Sequence, residues 1–228
     1  MIEILYEDNH LIAVNKRPSD LVQGDKTGDQ PLVEKVKAYI KEKYNKPGDV
    51  FTGVIHRIDR PTSGVVVFAK TSKALARMNK LFQEKKVQKV YWAVVAPAPK
   101  QPEGELVDFL VRNAKLNKSF AYPNPGRNGK RSELTYKVIG AGDNYSYLEI
   151  VPKTGRHHQI RVQLSHMGNP IKGDLKYGAR RSNKDGSIHL HARSINFSHP
   201  VTKESITIVA PPPKEVIWED VVAKQLTK

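Results

Sequence analysis

The chain contains no cysteine, which excludes disulfides, thiolate metal sites and cysteine nucleophiles together. It also lacks any apolar run near the roughly 20 residues that a membrane-spanning helix needs. Its first residues, MIEILYEDNH, carry no basic region followed by an apolar core, as a secretory leader would. Acid is scarce: 23 Asp and Glu against 38 Lys and Arg leave a net charge of +15, more than solubility requires. A polyanionic partner is therefore expected, nucleic acid ahead of a membrane. The expected location is the cytoplasm or an organelle matrix.

What is present suits a folded chain. Its 228 residues are 39% hydrophobic before glycine is counted, enough for one sizeable core. No internal repeat or low-complexity linker divides the sequence, so one domain spanning 1–228 is the expectation. β-branched apolar runs predict strands at Ile2–Tyr6, His10–Asn15, Gly64–Lys70, Lys89–Ala96, Leu134–Ile139, Tyr145–Val151, Ser187–Ala192 and Ser205–Val209. A hairpin turn is expected at Ala141–Asn144.

Helical spacing occurs four times. Asp29 is placed to cap a helix beginning at Pro31, with Leu32, Val36, Tyr39 and Ile40 on its apolar face. Thr71 or Ser72 opens a second, with Leu75, Met78 and Phe82 inward. Thr154 is expected to cap a third carrying Ile160, Leu164 and Met167, stopped by Gly168 and Pro170. Trp218, Val222 and Leu226 mark the last. Interleaved strands and helices give an α+β class: a long mixed, mostly antiparallel sheet flanked by helices.

Two stretches concentrate cations. Lys70 to Lys89 has seven basic residues and one acid, giving a positive outer helix face. Arg112 to Arg131 has six basic residues, with Phe120, Tyr122 and several turn formers. That composition predicts a mobile basic loop ordered by nucleic acid.

Chemistry gathers in two clusters. VIHRIDRPTSG, Val54 to Gly64, sets Asp59 between Arg57 and Arg60 ahead of an apolar strand, among His56, Thr62 and Ser63. An acid there could simply cap its turn, yet a polar loop at the end of a buried strand is where sites collect. The second cluster is KTGRHHQIRVQLSHMGNPIKGDLKYG, Lys153 to Gly178. On the expected helix His157 and Arg161 share one face, with His157 and His158 pointing to different faces. Were Arg161 about 4 Å from Asp59, their attraction would be roughly 4 kcal/mol at an effective dielectric of 20, enough to keep the acid ionised. A helix-surface arginine is the alternative. His189 and His191 share a strand face, a weak metal signal without spaced acids or thiolates. No metal or other cofactor is expected.

Four segments, in order, resemble the RluA-type RNA pseudouridine synthases: HRIDRPTSG, KVYWAVV, TGRHHQIRVQL with GNPIKGDLKYG, and HLHARSINFSHP. The resemblance implies the family's fold and a uridine isomerase acting on structured ribosomal or transfer RNA. It implies Asp59 as catalytic carboxylate, Tyr91 as the tyrosine packed on the target base, and Arg161 as the basic residue pairing with the aspartate. Arg57 would enter the RNA stack where the uridine leaves, and Ile160 and Leu190 would pack around the base. His56, Arg60, Thr62 and Arg156 belong to the same motifs as RNA-binding candidates. Ile58, Gln163 and Asp20 depart from the pattern, standing where leucine, histidine and glycine are commoner. A small N-terminal S4-like RNA-binding domain is not expected. No protein partner is implied and a monomer is adequate.

The reaction explains a solitary acid. Breaking the N1–C1′ bond of uridine and joining C5 to C1′ consumes nothing and needs one carboxylate near the sugar. A glycoside hydrolase needs a second to activate water, whereas an isomerase must exclude it. Two rivals predict other outcomes: a non-enzymatic RNA-binding module, and a metal-dependent nuclease using His157, His189 and His191.

Overall fold

The computed structural model describes residues 2–25, 27–126 and 128–226, with Leu226 described in its backbone only. Arg127, one of the six cations of the second basic stretch, lies outside the described residues, as does the side chain of Leu226. In chain order the first elements are β1 (Glu3–Glu7), β2 (Leu11–Lys16), α1 (Leu32–Lys43), β3 (Gly53–Val54), β4 (Ser63–Ala69) and α2 (Ser72–Gln83). Then come β5 (Gln88–Val95), β6 (Glu103–Asn113), β7 (Lys118–Tyr122), β8 (Lys130–Ala141) and β9 (Ser146–Pro152). The last are α3 (Gln159–His166), a 3-10 turn at Leu175–Tyr177, β10 (Leu190–Ser198), β11 (Ser205–Val209) and α4 (Val216–Leu226). The class is the expected α+β, a large mixed and mostly antiparallel sheet with helices. The chain divides into two compact units, Met1–Lys89 with Ala192–Pro212 and Val90–His191 with Pro213–Lys228.

In the first unit β2 pairs antiparallel with both β1 and β4, and β11 pairs with β10. Alternation along β2 and β4 sends Ile12, Val14, Val66 and Phe68 to one face, where they pack with Leu32, Val36 and Ile40 of α1. Each such side chain contributes about 1.5–3 kcal/mol when fully buried, far above the differences in helix propensity, so packing decides α1. Its N-cap is Pro31 with no side-chain cap, and Asp29 instead pairs with Arg60 at 2.6 Å. The expected Asp29 cap is thus corrected, because the carboxylate has a cation to bind. α2 begins as expected: Thr71 accepts from the Ala74 amide and Met78 is fully buried. Its basic outer face is solvated, with Lys80 and Lys86 both paired to Glu84. Gly64 has φ +116° and an added Cβ would lie 2.3 Å from the Ala192 carbonyl oxygen, so only glycine fits.

In the second unit β5, β9, β8, β6 and β7 follow one another through antiparallel pairs. One face carries Ala93, Val95, Leu134, Leu148 and Ile150 against Ile160 and Leu164 of α3. The other carries Trp92, Val94 and Tyr147 against Trp218 and Val221 of α4. The hairpin at Ala141–Asn144 forms as expected, the Gly142 amide donating to the Tyr145 carbonyl at 2.9 Å.

Three expectations are corrected here. Arg112–Arg131 is not a single mobile loop: it holds the end of β6, all of β7 and the start of β8, since alternate residues there find an apolar face to cover. The strand placed at Ser187–Ala192 starts later and runs to Ser198. Finally, α3 starts at Gln159 with His158 as its N-cap residue, in a left-handed conformation (φ 54°) and without a side-chain cap. Thr154 therefore caps nothing; its hydroxyl donates to Gln159 Oε1 at 2.8 Å and accepts from the Glu133 amide at 2.9 Å.

Candidate active site

The Asp59 loop belongs to the first unit and is built on backbone contacts. The Asp59 carbonyl accepts from the Thr62 amide at 3.0 Å, closing a turn over Arg60 and Pro61. Beneath it lies Lys16, 1% exposed. Its ammonium donates to the carbonyls of Arg17 (2.9 Å), Arg60 (3.0 Å) and Thr62 (2.7 Å). Burial lowers the Lys16 pKa to about 7, opposed by the charges of Asp20 and Asp59. Lys16 was overlooked in the sequence, although a signal exists: with Ile12 and Val14 buried, the period of two puts Lys16 on their face. Asp59 itself is half-buried.

The neighbours of Asp59 fall into two groups. Arg57 and Arg60 are exposed, Arg60 held by Asp29. His56 and Thr62 turn inward. His56 Nε2 accepts from the Val67 amide of β4 at 3.0 Å, and its ring stacks on Phe82 with centroids 5.3 Å apart. Burial lowers its pKa to about 3, helped by the charge of Lys89, so the ring is neutral and its accepting nitrogen free for that bond. Thr62 is 1% exposed and its hydroxyl has no hydrogen-bond partner among the described residues. At Asp20, where glycine was expected, Ser19 takes the positive φ of 73° and Asp20 pairs with Lys35 at 2.6 Å.

The second unit brings the apolar candidates together. Ile160 and Leu190 belong to one buried cluster and Tyr91 of β5 packs against it, opposite Ile150 of β9. Arg161 is 5% exposed, on α3. Its Nε donates to Asp174 Oδ2 at 2.7 Å and its Nη2 to Oδ1 at 2.8 Å, a two-pronged pair between groups both almost wholly buried. Its guanidinium also lies over the Tyr177 ring, 5.1 Å from the centroid. The reading of Arg161 as a helix-surface residue is thereby excluded. Asp174 was not singled out in the sequence, because nothing in local spacing joins it to an arginine 13 residues earlier. Arg156 is exposed and its amide donates to Gln159 Oε1 at 3.0 Å.

Around this pair the histidines are structural. The Tyr177 hydroxyl accepts from the Ser119 amide at 2.9 Å and shares a hydrogen bond with His158 Nδ1, also 2.9 Å away. Burial, then the Arg161 charge, pushes the His158 pKa down to about 2, so the ring is neutral. His157 and His158 stack at 3.7 Å; the expectation that they face apart fails because His157 precedes the helix. For the same reason His157 and Arg161 share no helical face. His189 and His191 both pack on Trp218, at 5.5 and 5.8 Å. No group of three or more potential metal ligands occurs among the described residues. Gln163, replacing the expected histidine, is fully buried and donates to Asp108 Oδ2 at 2.8 Å.

A family model described as RNA pseudouridylate synthase matches residues 10–166, spanning both the Asp59 loop and Arg161. The chain belongs to that family. Among its relatives, ribosomal large subunit pseudouridine synthase C of Vibrio vulnificus (strain CMCP6) is 37% identical over 214 residues, covering 91% of this chain and 65% of the relative. The chain thus spans a little less than two thirds of that protein. The tRNA pseudouridine synthase C of Haemophilus ducreyi (strain 35000HP / ATCC 700724) is 34% identical over 226 residues, covering 92% and 90%. The solved structure of human RNA pseudouridylate synthase domain containing 4 superposes with a TM-score of 0.79 at 23% identity, covering 98% of this chain and 93% of that one. That likeness extends the family's fold over nearly the whole sequence. No helix among the described residues is long and apolar enough to cross a membrane.

Proposed function

We propose that the protein isomerises uridine to pseudouridine in a structured RNA, ribosomal or transfer, with Asp59 as the catalytic carboxylate. The observation that carries this reading is the setting of Asp59: one half-buried acid on a loop whose carbonyls are gripped by a buried lysine. The chain is read as one catalytic domain working on RNA in the cytoplasm, as a monomer and without a cofactor.

A uridine stacked in folded RNA must first leave the stack, at a cost of a few kcal/mol offset by phosphate contacts and by a side chain filling the gap. Arg57, exposed beside Asp59, is assigned to fill it. The exposed Arg60 and Arg156 are assigned to the surroundings of the bound strand, and the inward-turned His56 and Thr62 to support of the loop that meets it. The Asp59 carboxylate attacks C1′ or stabilises its cationic character as the N1–C1′ bond breaks. The uracil turns, C5 bonds to C1′, the C5 proton departs and N1 gains one; the atoms balance with nothing consumed. Asp59 and Tyr91 are the two candidate acceptors of the C5 proton. Arg161 is the basic member of the catalytic set. A detached base must be kept from water, a task suited to the apolar wall of Ile160, Leu190 and Tyr91.

The test is Asp59→Asn. Carbodiimide mapping of RNA from reactions with the variant should find no pseudouridine while RNA affinity is largely kept; undiminished product would sink the assignment. A basic RNA-binding module without catalysis would yield no product from either protein. The same mapping on cells with and without the gene names the RNA, through the sites that disappear.

A further inference from the structure

The strands that replaced the expected basic loop carry a surface that the catalytic reading does not use. Along β7 the side chains alternate. Ser119 and Ala121 turn inward, the Ser119 hydroxyl donating to the His157 carbonyl at 2.8 Å, Ala121 packing with Leu110, Val162 and Tyr177. Phe120 and Tyr122 consequently turn outward, 36% and 48% exposed. In register beside them on β6 are Val111, opposite Phe120, and Phe109, opposite Tyr122. Val107, two positions further, is 40% exposed. This is an apolar, aromatic sheet face at the end of the strand order, where β7 is the edge.

Its rim is cationic. Between Phe109 and Ser132 the sequence has no acid, and Lys118, opposite Asn113, shares the outward register of Phe109 and Val111. The Lys118 ammonium lies 5.7 Å from the Phe120 ring centroid, and Arg131 stands opposite Phe109 in register. The nearest acids on this face are already matched, Glu133 by Arg131 and Glu105 by Lys153. Rings two positions apart on a strand are about 6.6 Å apart, room for one base against each. A sheet face with stacking rings and surrounding cations fits unpaired nucleotides, whose bases are free to stack, and not a duplex, whose bases are covered.

We infer that the outer face of β6 and β7 binds a single-stranded RNA segment, with Phe120 and Tyr122 as stacking platforms and Lys118 on the phosphates. This rests on the reading of RNA as substrate and adds a second contact outside the active site. The closing experiment measures binding alone. A fluorescein-labelled oligouridine strand and a blunt RNA duplex are titrated at one salt concentration against the protein, Phe120→Ala/Tyr122→Ala, and Phe120→Tyr/Tyr122→Phe. The alanine pair should weaken single-strand binding tenfold or more and leave duplex binding nearly unchanged, while the ring-preserving pair binds like the parent. Undiminished single-strand affinity, or an equal loss on both RNAs, overturns the inference. So does a lost affinity for anionic lipid vesicles with single-strand binding intact. Should the alanine pair fail to fold, 4-thiouridine crosslinking of the parent protein decides, with crosslinks on Phe120 or Tyr122 expected and their absence contrary. If no RNA ever yields pseudouridine, the catalytic reading falls while this binding result stands.

Discussion

Lys16 in the first unit and Arg161 in the second are both buried cations, 1% and 5% exposed, held in opposite ways. Lys16 spreads a compact charge over three backbone carbonyls, while Arg161 lays a planar fork on one carboxylate, Asp174. The carbonyls gripped by Lys16 would be there whatever side chains Arg60 and Thr62 carried. The loop bearing Asp59 is thus fixed through its backbone, independently of the side chains at those two positions. Arg161 relies on the side chain of Asp174 for both prongs of that fork.

The contrast can be broken from either side. Asp174→Ala should have the largest effect, a loss of about 3–5 kcal/mol of unfolding free energy in urea, because a buried guanidinium loses the carboxylate that receives both its prongs. A variant as stable as the parent would mean that the pair is dispensable. Lys16→Met keeps the bulk but removes three donors, and bare buried acceptors cost about 1–3 kcal/mol each. A net loss of about 3 kcal/mol is expected, together with a fall in kcat exceeding any rise in KM, since the Asp59 loop loses its anchor. A variant that loses stability but keeps kcat would confine Lys16 to folding.

The smallest effect is a pH dependence that sharpens the comparison. The Lys16 pKa is about 7 in the folded protein and near 10.4 in an unfolded chain. Between those values the unfolded state holds the extra proton, so stability rises with pH. From pH 7 to pH 9 the parent should gain about 2 kcal/mol relative to Lys16→Met, read from urea midpoints at each pH. Asp174→Ala, which leaves Lys16 in place, should share the parent's gain; a flat difference between parent and Lys16→Met would contradict the shifted lysine.

Legibility in the sequence followed the range of the interaction. β2, β4, β5, β9 and α2 could be read because their patterns are local: alternating β-branched residues, a capping threonine, a period of 3.6. β6 and β7 were hidden because their outward positions carry rings and cations, so the alternation looks like a loop until Ser119 and Ala121 are seen to be covered by Tyr177. The start of α3 was misplaced by four residues, from a cap at Thr154 to one at His158, for a related reason. Thr154 looks like a cap, but Gln159 competes for its hydroxyl. At the candidate site the motif residues could be named from the chain alone, whereas the two groups that fix them carry a weaker signal or none. Asp174 meets Arg161 only after a turn of chain between them, and Lys16 is an ordinary surface lysine until its strand is seen to bury that face.

The close approach of Gly64 to Ala192 sets a limit on how this sequence can drift. A library randomised across β4 should tolerate exchanges among valine and isoleucine while returning a single codon class at position 64, whatever selection is applied. That position reports on whether a variant chain has folded at all, and it does so independently of any substrate.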